Sequence, residues 1–310
     1  MFWYSDGSVV LSVADTLFKL HRSRLASQST YLQDLFDGAP DEDYDADGQT
    51  SPLYVVRVKG LKLFDFSSLL SIVEDPFNNR RNEPDFALSA AIARAAKLLG
   101  FDQALSWAVE QLEKMWSNKI TDVESGPLEP AQEALELSRI VDIPSIRKRA
   151  FYELMRMPSF GQSEAISSLS VADYKVLTYA REKMAQHWSD VINKSPTGRA
   201  ECCIKNPSKC SIKKDNAMTR NYRWWAVVHR ENLLQHHLLD PLGGYLRLKI
   251  LLPLEAAKDP AVWCSHCCEE GLDRRSGRPL ERPRRVVGAS VIEMPFIITH
   301  TRPETLLPIN

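Results

Sequence analysis

The sequence has no run of about 18 apolar residues, so no membrane-crossing helix is expected. Neither charge is in surplus: 39 Lys and Arg stand against 40 Asp and Glu, a net charge of -1. That removes the global basic field that draws in nucleic acid. The first twenty residues carry Asp6 and Asp15 and no positive leader, so no secretory signal is expected. Cysteine is scarce, six in 310 residues, and without a signal these read as reduced thiols or metal ligands rather than a disulfide framework. A phosphate loop, a nucleophile elbow and a metalloprotease helix are also lacking. The expectation is therefore a non-catalytic chain with no small-molecule substrate and no membrane attachment, placed in the cytoplasm and/or the nucleus.

What is present is ordinary globular material, 44% hydrophobic and 25% charged, long enough for two or three domains. Val9, Leu11 and Val13 alternate as in a half-buried strand, Ala14-Asp15 reads as a turn, and Thr16 to Leu20 returns as the second strand of a hairpin. From Arg22 to Phe36, Leu25, Leu32, Leu35 and Phe36 are spaced for two short helices broken near Ser29. Residues 37–51 hold six Asp or Glu, two Gly and a Pro; the stretch reads as a mobile acidic loop. Tyr54 to Val58 reads as a third strand. Phe66, Leu69, Leu70 and Val73 mark a helix that Asp75-Pro76 stops. Asp85 caps the next, with Leu88, Ala91, Ile92, Ala95, Leu98 and Leu99 inward and Gly100 at its end. Asp102 opens a third, with Leu105, Ala108, Val109, Leu112 and Met115 facing in.

Three segments together carry a family resemblance: Asp6-Gly7-Ser8-Val9-Val10-Leu11-Ser12-Val13, then Thr16 through Ala26 with Phe18, His21, Arg22, Leu25 and Ala26, then Ser29 to Phe36 with Tyr31. Residues 5–118 resemble the BTB/POZ domain, most closely the BTB proteins abundant in mushroom-forming fungi, in which an acidic insert precedes the third strand. The resemblance implies an α+β N-terminal fold, a small sheet with helical hairpins, that works by binding proteins: itself, another BTB protein, or the cullin scaffold of a ubiquitin ligase. By position, the cullin-facing surface falls on Tyr31, Leu32, Asp34 and Leu35, although Tyr31 and Leu35 also suit core packing. His21 reads as a structural residue with a buried hydrogen bond, and Phe18, Leu25 and Phe36 as core.

Residues 1–118 therefore form the expected BTB/POZ-like domain. Asn118 to Pro130 is a linker with two prolines and a glycine. Residues 119–195 read as a helical extension of the kind that follows BTB domains. Its helices are marked by Ala131, Ala134 and Leu135; by Ile146, Ala150, Phe151 and Leu154; and by Tyr174, Leu177, Ala180, Met184, Trp188 and Val191 behind a Ser170 cap.

Residues 196–272 hold the sharpest chemistry. Cys264 and Cys267 have the Cys-x-x-Cys spacing that brings two thiolates to one ion. With Cys203 and Cys210 they make a candidate closed, structural zinc site; Cys202, His266 and Cys268 are alternative ligands, and ordinary thiols the bland reading. Trp224 and Trp225 read as core or interface anchors, with His229, His236 and His237 nearby, and Asp240 to Gly244 reads as a turn. Lys213, Lys214, Arg220 and Arg223 form a local basic patch beside the tryptophans, although a nucleic-acid partner is not the expectation. Residues 273–310 read as an Arg/Pro-rich flexible tail with an apolar stretch, Val286 to Thr299.

The function expected is that of an adaptor or scaffold, in its specific form a cullin-linked ubiquitin-ligase substrate receptor. The alternative is a transcription-associated regulator that oligomerises or recruits corepressors through the BTB domain and contacts nucleic acid through its basic C-terminal part.

Overall fold

The computed structural model describes residues 2–46, 49–75, 83–119, 122–123, 128–157, 160, 169–195, 217–236, 239–260, 262–264 and 267–268. The chain divides into two compact units, Met1–Ser117 with Pro130–Ala150, and Asn118–Glu129 with Phe151–Asn310. The first carries a small mixed four-stranded sheet with helices; among the described residues the second is helical.

In the N-terminal unit, β1 (Val9–Val13) and β2 (Thr16–Leu20) form the antiparallel hairpin, with Val13 opposite Thr16. Ala14 and Asp15 both have positive φ, 46° and 63°, as a two-residue hairpin turn of matching twist requires. β1 is not half-buried: Val9, Val10, Leu11 and Val13 are all enclosed. The sheet order β2-β1-β4-β3 explains this, because β1 is an inner strand covered on both faces.

The third strand begins earlier than its sequence suggests. β4 (Gln49–Val55) runs parallel to β1, with Leu11 opposite Tyr54. The acidic stretch is not wholly loop. Glu42–Ala46 forms β3, antiparallel to β4 at the sheet edge. An edge strand needs backbone pairing on one side only and no apolar face, and its exposed carboxylates discourage pairing with another chain. Five-residue strands rich in Asp carry almost no propensity signal, so tertiary pairing prevails over composition.

Among the described residues, six helices lie wholly in this unit: α1 (Arg22–Ala26), α2 (Thr30–Asp37), α3 (Leu63–Glu74), α4 (Phe86–Leu99), α5 (Asp102–Met115) and α6 (Ala131–Ile140). The start of α4 is capped by Asp85, whose carboxylate accepts from the Leu88 N–H at 2.8 Å. Its end is Gly100 in the left-handed region, φ 68°. α4 packs against α2, α3, α5 and α6. Being surrounded, it buries Ala90, Ala91, Ala93, Ala95 and Ala96, small side chains that let neighbouring helices approach closely. A bidentate pair joins α3 to α4, Asp65 accepting from Arg94 Nε and Nη2 at 2.8 Å each.

The divide between the units falls inside α7 (Pro144–Arg156). The second unit continues with α8 (Val171–Asn193), α9 (Ala217–Arg230), α10 (Leu233–His236) and α11 (Pro241–Lys258). Ser170 caps α8 by accepting from the Asp173 N–H at 3.1 Å. Trp188, Trp224, Trp263, Val227, Val228, Leu248 and Leu252 belong to one core cluster. Two buried indoles bond backbone carbonyls: Trp224 donates to that of Ile192, open in the last turn of α8, and Trp188 to that of Leu233 at the start of α10.

The Asp240 to Gly244 stretch is a helix start rather than a free-standing turn. Asp240 caps α11 by accepting from the Gly243 N–H at 3.1 Å, and Pro241 occupies the first turn, where its missing N–H costs nothing. The glycines that suggested a turn lie in that first turn. No described helix is long and apolar enough to cross a membrane.

Candidate functional site

The candidate interaction residues converge on α2, and the fold holds this helix at both ends. At its start Ser29 Oγ accepts from the Leu32 N–H and donates to the Leu99 carbonyl, and the Thr30 N–H bonds the Gly100 carbonyl at 3.3 Å. At its end Arg22 donates to the Phe36 carbonyl and lies over the Phe36 ring, 5.6 Å from its centroid. The inward side is set by Leu32 and Phe36, both buried. The outward side is Gln33, Asp34 and Asp37, exposed, with Tyr31 and Leu35 half-buried at its margins.

Of the four expected contact residues, Asp34 is therefore fully presented and Tyr31 and Leu35 are partly presented. Leu32 is enclosed, 0% exposed, and supports the face from beneath. Helix phase decides this, since Leu32 and Phe36 are four residues apart on the core side.

The surface beyond α2 is acidic. Asp37, Asp41, Glu42, Asp43 and Asp45 are exposed, and no Lys or Arg occurs between Gln33 and Val56. Arg57 reaches in and donates to Asp41 at 2.7 Å, while the Val55 N–H donates to the other Asp41 oxygen at 2.8 Å. These hydrogen bonds, Arg57's first, hold the Asp41 carboxyl below its ordinary range, so it stays charged.

His21 is not buried. It stands at the start of α1, stacked on Tyr4 at 5.3 Å, with Nε2 3.7 Å from Asp6. A residue opening a helix at the rim of a hairpin has one side in water, which accounts for the difference. Phe18 and Leu25 are core.

The second candidate, the cysteine group, lies partly outside the described residues: Cys202, Cys203, Cys210, His237 and His266 are there, as is residues 273–310. Cys264 and Cys267 are 4% and 0% exposed. The Cys268 N–H donates to the Cys264 carbonyl at 2.9 Å, so the pair occupies one helical turn, the arrangement that offers two thiolates to one side. Among the described residues no three His, Cys, Asp or Glu side chains gather as metal ligands.

The basic patch is partly dismantled by the fold. Lys213 and Lys214 lie outside the described residues, Arg220 is buried, and Arg223 faces Asp259 at 3.9 Å. The two tryptophans separate: Trp224 enters the core and Trp225 faces water.

One feature was readable yet missed. Met218, Tyr222, Trp225 and His229 follow i, i+4, i+7, i+11 and lie on the solvent side of α9. Their spacing, set against that of Arg220, Trp224, Val227 and Val228, separates the two faces of this helix. On α3, Leu63 and Phe64 are also exposed.

No protein-family model matches the sequence, and no curated protein matches it.

Proposed function

We propose that the chain is a non-catalytic protein–protein interaction adaptor acting through a BTB/POZ-like N-terminal unit, in its specific form the substrate receptor of a cullin-linked ubiquitin ligase. The observation that carries this reading is the α2 face. It is a short helix fixed at both ends, with Tyr31 and Leu35 at its margins, Asp34 at its centre and an acidic edge strand beyond. A preorganised face of this kind loses little entropy on binding. Its charge selects a basic surface and speeds encounter with it. Two further points support the family: the hairpin, helix pair, returning parallel strand and alanine-rich helix occur in the order the resemblance implies, and the divide leaves these elements in one unit.

The test is calorimetry of the full chain against the N-terminal domain of a cullin scaffold. Micromolar or tighter binding is expected, weakened by added salt and by Asp34→Lys, and weakened again by Tyr31→Ala. Leu32 is not a useful position to change, because a charge there unfolds the helix seat. No detectable heat with a correctly folded chain overturns the cullin form. The transcription-associated alternative gains no support from α9, whose described cations are buried or face carboxylates.

The same reading assigns structural zinc to Cys264 and Cys267, completed by Cys203 and Cys210. The shared helical turn supports the first pair. Metal analysis of the purified chain is expected to give one zinc, lost in Cys264→Ser and in Cys267→Ser. Unchanged content in both variants removes the site.

A further inference from the structure

The solvent face of α9 is unusual for an outward-facing surface. Met218 is 87% exposed, Tyr222 75% and Trp225 37%, and His229 continues the row beside Trp225, ring centroids 5.9 Å apart. The row follows i, i+4, i+7, i+11, the spacing of a continuous apolar seam. The opposite side of the same helix is already committed, since Trp224, Val227 and Val228 fill the core. α9 therefore needs no outward apolar seam for its own stability, and one left in water is an interaction surface.

The helix carries no Asp or Glu, while Arg223 and Arg230 border the row. Arg223 faces Asp259 and Arg230 faces Glu231 and Glu255, so the border is balanced and an occupant of matching chemistry is apolar with little charge of either sign. The chain itself contains such a segment: Val286–Thr299 has one charged residue, Glu293, and Val291, Ile292, Met294, Phe296, Ile297 and Ile298 are apolar.

Reach also favours it. Cys268 lies in the same core cluster as the inner side of α9. Residues 269–285, seventeen in all, separate it from Val286. A chain length of seventeen residues suffices to reach about 20 Å, against a helix diameter of about 10–12 Å. From Met218 to His229 the row is about 17 Å long, matched by about five extended residues. Attachment through the spacer gives the segment an effective concentration of about a millimolar.

We propose that the face formed by Met218, Tyr222, Trp225 and His229 is the docking site of this chain's own segment Val286–Thr299, which covers the aromatic row. Tyr222 and Trp225 supply the broad contacts.

Hydrogen exchange of the full chain, read on peptides from 286–299, tests this. Protection about ten-fold or more above the unstructured rate is expected. It falls to that rate in Tyr222→Glu with Trp225→Glu, and independently in Phe296→Asp with Ile297→Asp. Both α9 positions face water, so exchange within 241–258 stays unchanged and reports an intact fold. Unprotected 286–299 in the unaltered chain overturns the proposal. So does protection that survives both α9 substitutions. Protection that vanishes on dilution, together with a doubled mass before dilution, gives the face to a second copy and overturns it as well.

Discussion

In the N-terminal unit the enclosed carboxylate of Asp65 meets the guanidinium of Arg94 across neighbouring helices. In the second unit Glu153 holds Arg156 at 2.6 Å and also accepts from the Leu128 N–H at 3.0 Å. Arg156 reaches on to Asp240 at 3.3 Å, and Tyr152 donates its hydroxyl to the same carboxylate. Burial first, and then the adjacent Asp240 charge, push the Tyr152 phenol far above its ordinary range, so it remains a donor at any working pH. The decisive contrast is access to water. Arg94 keeps 24% of its side chain exposed, whereas Arg156 keeps 2%. One unit closes with a pair whose arginine still touches water, and the other with a sealed network. Removing a partner therefore has unequal consequences in the two.

The largest effect is expected for Glu153→Ala. It takes the 2.6 Å carboxylate from a sealed guanidinium that still reaches Asp240 at 3.3 Å, and loss of one member of a buried pair costs about 3–5 kcal/mol. Replacing both members, Glu153→Leu with Arg156→Met, is expected to restore part of that loss, because neither charge of the pair is then left buried, while Asp240 keeps the Tyr152 hydroxyl and the Gly243 N–H. Hydrogen exchange read separately on 171–193 and 86–99 assigns the loss to the second unit. A Glu153→Ala chain as stable as the unaltered one would erase the contrast. Asp65→Ala comes next, at about 1.5–3 kcal/mol, the range for hydrogen bonds to charged groups. Arg94 can turn to solvent, so the loss stays below that of Glu153→Ala. A reversed order of the two would mean that exposure does not govern them.

This contrast also explains what was legible. In the N-terminal unit the informative signals are local. The β1–β2 hairpin, the caps at Ser29 and Asp85 and the glycine after α4 are each spelled within a few residues of where they act. The edge strand β3 was not legible, because its only stabilisation is pairing with β4. In the second unit Tyr152 and Asp240 are 88 residues apart, and Trp188 meets Leu233 across 45. No periodicity announces such partners. The α2 face was legible in position through the resemblance, but its phase needed the structure: Leu32 turned inward and Asp34 outward. The aromatic row of α9 was in the spacing all along, masked by reading the adjacent Trp224 and Trp225 as one feature.

Two glycines sharpen the same point at smaller scale. Gly100→Ala forces an L side chain into a left-handed conformation, costing about 1–2 kcal/mol. Its methyl would also press on Thr30 Oγ1, at the start of α2. Gly243→Ala has no such backbone penalty, but its methyl would collide with the Asp240 carboxylate that caps α11. Loss of that cap is worth about 1 kcal/mol. Denaturant midpoints of the two variants are expected in that order. An equal or inverted pair would show that the Asp240 cap carries more than a helix end, as its bonds to Tyr152 and Arg156 allow.

The smallest effect concerns the outer charges of the second unit. Arg247 and Arg230 donate to Glu231 at 2.8 and 3.1 Å, and these hydrogen bonds, Arg247's first, hold its carboxyl below the ordinary 4.5. A carboxyl depressed on folding contributes stability that is fully present above 4.5 and is lost as pH falls through the lower folded value. Both arginines are about half exposed, 49% and 47%, so the contribution is about 0.5 kcal/mol and is weakened by salt. Unfolding midpoints of the unaltered chain and Glu231→Gln should differ at neutral pH and converge on the acid side of 4.5. Curves that stay parallel into acid would place the stabilisation elsewhere. Convergence with a far larger gap would mean that these outer arginines, like Arg156, are held away from water by the fold.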